Sequence, residues 1–282
     1  MAETIDIQPL SNIVGAVVDG VDLTRPVDDA TGDLLRNTFY ENSILCIRDQ
    51  QLAATDQIQF ADLFGPVDSG FRVRSGYGGD ETRQRGVMLV SNIRRNGVPI
   101  GSLPDGEMQF HSDGAHRDVP YAATTLYAIK LPSRGGDTLF ANLAAAYDAL
   151  DEETKERIDA LQVRNLYGYD DTFREETSDE SEPNTSAATH GLVKTHPITG
   201  RKSLYLSRLM TRHVIGMDQE ESDDLLNRLF DHAEQPEFVY AHEWRPKDLL
   251  IWDNRCLNHA RTDFPDTEER LLRRLTITEW HK

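Results

Sequence analysis

Nine histidines are spread along the 282 residues, and two of them open a His-x-Asp fragment: His111-Ser112-Asp113 and His116-Arg117-Asp118. On a strand, residues two apart point to one face, so either fragment can aim an imidazole and a carboxylate at one ion. The pattern is weak on its own, because about one such fragment is expected by chance in a chain this rich in aspartate. A third ligand must come from elsewhere, and His259 is the candidate. It follows the apolar run at 248–254, DLLIWDN, so it is expected at a strand end or in the loop just after. Two histidines and one carboxylate on one side of a metal leave coordination positions open. That suits non-haem Fe(II) chemistry with a bound co-substrate and dioxygen. His190, His196, His213, His232 and His242 carry no spacing that can be used.

Charge gives the next constraint. Asp plus Glu number 48 and Lys plus Arg 30, a formal net charge of −18. Such a field repels phosphate backbones and anionic lipid, so neither nucleic acid nor a membrane surface is expected as a partner. An anionic small molecule is repelled too, unless positive charge stands within the ~8 Å screening length of its site. Arg270 and Arg274 supply it. They lie four apart on a predicted strand, so they share a face about 13 Å apart, with Leu271, Leu275 and Ile277 on the other. Desolvated arginines are costly unless paired, and their fork matches a carboxylate. A register slip of one residue would put Arg273 in the place of Arg274.

These side chains need a scaffold. The length suggests one or two domains; a single domain over 1–282 is expected. Short β-branched runs with glycines read as strands over 5–23, and apolar runs read as strands at 43–49, 87–93, 122–131, 203–209, 248–253 and 270–278. Helices are expected at 28–41, from Thr55 to Phe64, at 141–150, at 151–162 with Asp151 as cap, and at 218–234. Many strands with marginal helices point to a mainly β sandwich or barrel. Residues 66–84 read as a long loop. Residues 170–189 are acidic and nearly devoid of large apolar groups, so they cannot order by burial. Segments near 66–84 and 165–190 are the candidate lids. No apolar run approaches the ~20 residues of a membrane span. The N-terminus lacks a signal-peptide pattern, and Cys46 and Cys256 are too few for a disulfide framework. A cytoplasmic protein with two buried, inert thiols is expected.

Longer stretches carry a resemblance: IVGAVVDGVDLTRP (13–26), CIRDQ (46–50), FGP (64–66), FHSD (110–113), LPSRGGDTLFANLAAAYDAL (131–150), THPITGRKSLY (195–205) and WDNRCLNHARTDF (252–264). Together they resemble the taurine/2,4-dichlorophenoxyacetate dioxygenase family, Fe(II)- and 2-oxoglutarate-dependent oxygenases with a jelly-roll (double-stranded β-helix) core. The resemblance implies His111, Asp113 and His259 as iron ligands and as the catalytic centre. It implies Thr138 and Arg270 as contacts of 2-oxoglutarate, and Arg274 as the partner of an anionic substrate. His116 falls where relatives often carry a pocket-lining aromatic. Gly70 falls near the histidine with which taurine enzymes grip a sulfonate, so the phenoxyacetate branch fits better than taurine. Glu107 stands where relatives often use asparagine; it either turns inward toward a cationic or hydroxylated substrate or stays in solvent. An intact Asp113 argues against halogenation.

The expected activity is therefore hydroxylation of a small organic anion, with cleavage where the hydroxylated carbon bears a heteroatom. Alkyl sulfates, sulfonates and amino-acid-derived acids are alternative substrates, and a redox-inert metal hydrolase or a non-catalytic β module are alternative classes. Relatives of this kind are often dimers or tetramers.

Overall fold

The computed structural model describes residues 4–69, 86–102, 106–168 and 185–279. Gly70, residues 70–84 of the first expected lid and residues 169–184 of the second lie outside the described residues. The chain runs β1 (Asp6–Pro9), β2 (Ala16–Asp19), α1 (Asp29–Asn42), β3 (Ile44–Ile47), α2 (Ala54–Asp62), β4 (Met88–Ser91), β5 (Arg94–Arg95), β6 (Val98–Pro99), β7 (Met108–His111) and β8 (Ala123–Lys130). It continues with β9 (Thr138–Asn142), α3 (Leu143–Asp148), α4 (Glu152–Ile158), β10 (Gln162–Gly168), β11 (Thr185–Gly191), β12 (Val193–Thr195), β13 (Lys202–Leu204) and β14 (Thr211–Val214). Helix α5 (Gln219–Ala233), β15 (Val239–His242), β16 (Leu249–Asp253), β17 (Leu257–Arg261) and β18 (Leu271–Ile277) follow.

A seven-stranded sheet in the order β1-β2-β3-β16-β8-β18-β4 faces a four-stranded sheet in the order β15-β9-β17-β7. The residues of the apolar runs ILCI and LLIWD divide between two cores, which is why these strands show no polar alternation. Cys46, Leu250, Trp252 and Leu272 point inward and pack with Phe140 and Leu257 of the small sheet. Leu45, Ile47, Leu249, Ile251 and Leu275 point outward, against Leu35 and Phe39 of α1 and Phe60 of α2. A third cluster joins α3 and α5 to β10, β13 and β14. Among the described residues, no helix is long and apolar enough to cross a membrane.

Helix starts follow capping chemistry. Asp28, Asp151 and Asp218 accept the backbone N–H groups of Thr31, Thr154 and Glu221, each such cap stabilising by about 1 kcal/mol. Several expectations are corrected. Thr55 does not cap α2; the helix begins at Ala54, and the Asp56 carboxylate accepts the N–H of Ala53. The helix expected over 141–150 starts only at Leu143, because Asn142 caps it and 138–142 is strand β9. Residues 185–189, read as unable to order, form part of β11 by pairing with β10, where the backbone ladder suffices with one buried alanine, Ala188. The strand expected over 203–209 ends at Leu204.

Candidate active site

The centre lies where β7 and β17 pair. His111 ends β7 and is the direct cross-strand partner of His259. His259 is not at a strand end, as the run before it suggests, but the middle residue of β17. The two imidazole rings meet with centroids 4.1 Å apart. Asp113 stands two residues beyond His111, and its Oδ1 lies 3.7 Å from His111 Nε2 and 4.0 Å from His259 Nε2. Ligand-capable atoms of the three all fall within 4.8 Å of one another. His116 is buried apart from this cluster, its ring tilted against Tyr167 at 5.1 Å.

Orientation comes from partners around the ligands. His111 Nδ1 lies 2.9 Å from the carbonyl of Gln109; an N–H there leaves the Nε2 lone pair facing Asp113. Trp252 Nε1 donates to Asn254 Oδ1 at 3.0 Å, Asn254 Nδ2 donates to Thr124 Oγ1 at 2.9 Å, and Thr124 donates to Asp113 Oδ2 at 2.6 Å. That chain pins one carboxylate oxygen and leaves Oδ1 toward the histidines. Ser112 ties the same turn to Asn254 through its carbonyl at 2.7 Å. Trp252 also packs on His259, with centroids 4.8 Å apart.

Electrostatics favour the ligating protonation states. Burial pushes the Asp113 carboxyl up, but Arg274, His259, His111 and the Thr124 hydroxyl outweigh it and hold the group well below the usual carboxylate range. Burial holds His111 below its ordinary value against the pull of Asp113. Burial and the nearby His111 hold His259 well below its own. Two neutral imidazoles and one ionised carboxylate, converging with lone pairs exposed, fit a divalent metal of the first transition row.

Arginines surround this centre. Arg274 Nη2 lies 2.6 Å from Asp113 Oδ1, a charge-assisted contact. Arg273 points to the opposite face, under α2, so the register puts Arg274 at the site. Arg270 is 2% exposed, and its Nε and Nη2 both donate to the Gly136 carbonyl, at 3.2 and 2.9 Å. Among the described residues no carboxylate lies within ion-pair distance of it. Burial and the neighbouring Arg261 pull its pKa below the ordinary value, with Asp137 acting the other way. Gly136, at φ +69°, is required here: a Cβ would stand 2.9 Å from Arg270 Nε.

Comparison with known proteins agrees over the whole chain. Residues 6–276 match the taurine catabolism dioxygenase TauD, TfdA family. The chain belongs to the TauD/TfdA family. It is 36% identical to an (S)-phenoxypropionate/alpha-ketoglutarate-dioxygenase of Sphingobium herbicidovorans, over 100% of this chain and 95% of that one. It is 31% identical to an alpha-ketoglutarate-dependent 2,4-dichlorophenoxyacetate dioxygenase of Cupriavidus pinatubonensis, over 96% of each. The solved structure of AAD-2 with Mn(II) and N-oxalylglycine superposes with a TM-score of 0.81 at 31% identity, covering 99% of this chain and 98% of that one. The chain is thus an oxidoreductase, an alpha-ketoglutarate-dependent dioxygenase with a metal centre, and its mainly β, two-sheet core is the jelly roll of that family.

Thr138 opens β9, opposite Arg261 of β17 in register, and its hydroxyl accepts Trp244 Nε1 at 3.0 Å. Glu107 is exposed, just ahead of β7. Arg261 is absent from the sequence-derived site, yet it is buried and its Nε donates to the Gly106 carbonyl at 2.9 Å. Its guanidinium and that of Arg270 flank Phe264, 5.7 and 5.8 Å from the ring centroid. The signal for it is simple: two residues after His259 on a strand is the same face. Thr124 and Asn254 have no such signal, because the hydrogen bond that joins them spans 130 residues of sequence.

Proposed function

We propose that the chain is a dioxygenase that uses Fe(II), 2-oxoglutarate and dioxygen to hydroxylate a small carboxylate of the aryloxyalkanoate type. The observation that carries this reading is a three-ligand cluster together with a buried guanidinium, Arg270, that has no carboxylate within ion-pair distance among the described residues. His111, Asp113 and His259 would hold the ion, which when bound supplies the dioxygen chemistry that no side chain can. Arg270 would clamp the far carboxylate of 2-oxoglutarate, with Thr138 contributing its hydroxyl and Arg261 reinforcing the positive field.

The remaining residues position a substrate. Arg274 reaches the centre from the large sheet and would take the substrate's carboxylate, sharing its contact with Asp113. Beside the ligands, Met108, Ala115, Tyr167, Tyr205, Leu209 and Met210 form an apolar cluster, and His116 packs on its Tyr167. Thioether and aromatic side chains suit an aryl ring. This wall also keeps water from the reacting carbon. Glu107, being exposed, is assigned no inward contact. Overall, substrate C–H, 2-oxoglutarate and O2 would give substrate C–OH, succinate and CO2. Hydroxylation beside an ether oxygen gives a hemiacetal or hemiketal, which releases a phenol.

The test is succinate formation with Fe(II), across a panel of phenoxypropionate, 2,4-dichlorophenoxyacetate, alkyl sulfates and taurine. The expected result is turnover stimulated most by an aryloxyalkanoate, with a phenol released in step. Equal activity without oxygen, or with zinc replacing iron, overturns the reading in favour of a hydrolase. Stimulation by taurine or alkyl sulfates alone overturns the substrate assignment.

A further inference from the structure

Behind the wall that carries Thr138, a second group of ligand-type side chains converges. Ligand-capable atoms of Cys46, His242 and Asp248 all lie within 4.8 Å of one another, and all three residues are 0% exposed. They come from separate places: Cys46 from β3, His242 from the end of β15, and Asp248 from the turn before β16. Two of their polar atoms make no hydrogen bond: His242 Nε2 and Asp248 Oδ1. Roughly nine in ten buried polar groups in folded proteins are paired, so two orphans in one spot call for a missing partner.

The surroundings orient the group. Tyr240 Oη lies 2.9 Å from His242 Nδ1. With that N–H donating to the phenol oxygen, the Nε2 lone pair is free, as in metal-bound imidazoles with an outer hydrogen-bond partner. Nε2 stands 3.3 Å from Asp248 Oδ2 without the alignment of a hydrogen bond. Arg48 Nη1 at 2.8 Å and the Arg245 N–H at 3.0 Å occupy that same Oδ2. They fix the carboxylate and leave Oδ1 as its open oxygen.

We propose that Cys46, His242 and Asp248 form a second metal site, buried in the sandwich and suited to zinc or a similar divalent ion. Thiolate, imidazole and carboxylate are the zinc donor set, whereas a sulfur ligand disfavours magnesium and calcium. Binding exchanges the thiol proton for the ion: the S–H bond breaks, an S–metal bond forms, and one proton leaves to solvent. No electron is transferred. Arg48 has a side chain 23% exposed, so water shares the charge of the Arg48–Asp248 pair when the ion is present. Complete burial means that loading accompanies folding. The ion braces the co-substrate wall without touching the reaction. His242 pairs in register with Thr138, and its ring meets Trp244, the donor to Thr138, at 4.7 Å.

Cobalt distinguishes this site from the catalytic one, which holds no sulfur. The chain is produced in cells grown with cobalt, desalted, and scanned in the near ultraviolet for thiolate-to-cobalt charge transfer. The expected result is a strong band accompanied by about one cobalt per chain beyond the catalytic site. The band persists in Asp113→Ala and Cys256→Ser and is lost in Cys46→Ser. Should Cys46→Ser fail to fold, His242→Gln and Asp248→Asn report instead, by loss or displacement of the band. A folded wild-type chain with cobalt but no thiolate band overturns the proposal, as does a band that disappears in Cys256→Ser and not in Cys46→Ser.

Discussion

Arg270 and Arg273 lie three residues apart and are almost equally dark to water, at 2% and 1% exposure. Their surroundings differ. Arg273 faces outward beneath α2, where Nε donates to Gln57 Oε1 at 2.7 Å, Nη2 donates to the Leu52 carbonyl at 2.8 Å, and the guanidinium lies 5.0 Å over Tyr127. Gln57 completes the knot by donating to Thr125 and to the Arg273 carbonyl. Arg270 faces the site, and a single carbonyl receives two of its donors. A buried charge whose donors are matched is a staple. One whose donors crowd onto a single carbonyl, with room left for an anion, is a binding group, held there at a cost to the fold.

The largest expected difference between the two concerns co-substrate binding. Arg270→Met should raise the KM for 2-oxoglutarate roughly 10²–10³-fold, the usual loss when one partner of a buried charge pair is removed. The same variant should unfold no more easily than wild type, because it deletes an uncompensated charge. Steady-state kinetics and a denaturant melt check both halves, and an unchanged KM would break the distinction. Arg273→Met should do the reverse. Stability should fall by about 3 kcal/mol, since Gln57 and the Leu52 carbonyl lose their donors, with the KM for 2-oxoglutarate unchanged.

His116 is the opposite case, a base that burial keeps neutral instead of charged. Burial, then Arg117, push its pKa from 6.5 down to about 4. As pH falls between those values the unfolded ring takes up a proton that the folded ring refuses, so stability falls; above 6.5 the group contributes no slope. The loss by pH ~4 is on the order of 3 kcal/mol. Denaturant midpoints at pH ~7 and ~4.5 should therefore diverge more for wild type than for His116→Leu, and equal shifts would refute the assignment. The smallest effect belongs to Asn254→Ala, which cuts the chain from Trp252 to Asp113. Metal affinity should drop about 10–100-fold, measured by competition with a chelator.

How far these roles can be read in advance depends on range. His111-Ser112-Asp113 is local, and two-residue spacing is enough to place both groups together. The strands at 44–47, 123–130, 249–253 and 271–277 show as apolar runs because both faces are buried. Arg274 against Arg273 is a question of register, which only pairing with β8 and β4 settles. The stretch LFANLAAAYDAL hides β9, since its alanines read as helix up to the Asn142 cap. Residues 185–189 look too polar to order, but the ladder between β10 and β11 is satisfied largely by backbone. The Trp252–Asn254–Thr124–Asp113 relay joins residues 130 apart in sequence, and no local pattern announces it. The same is true of Cys46, His242 and Asp248.

The most direct test is an anaerobic titration of the chain, stripped of its catalytic metal, with Fe(II) and 2-oxoglutarate, followed by visible absorption. A weak band is expected that needs both components, saturates at one equivalent of iron per chain, and shifts when an aryloxyalkanoate is added. No band is expected in Asp113→Ala and, at the same 2-oxoglutarate concentration, a much fainter one in Arg270→Met. A band of full strength in Asp113→Ala, or none in the wild-type chain, would contradict the ligand assignment.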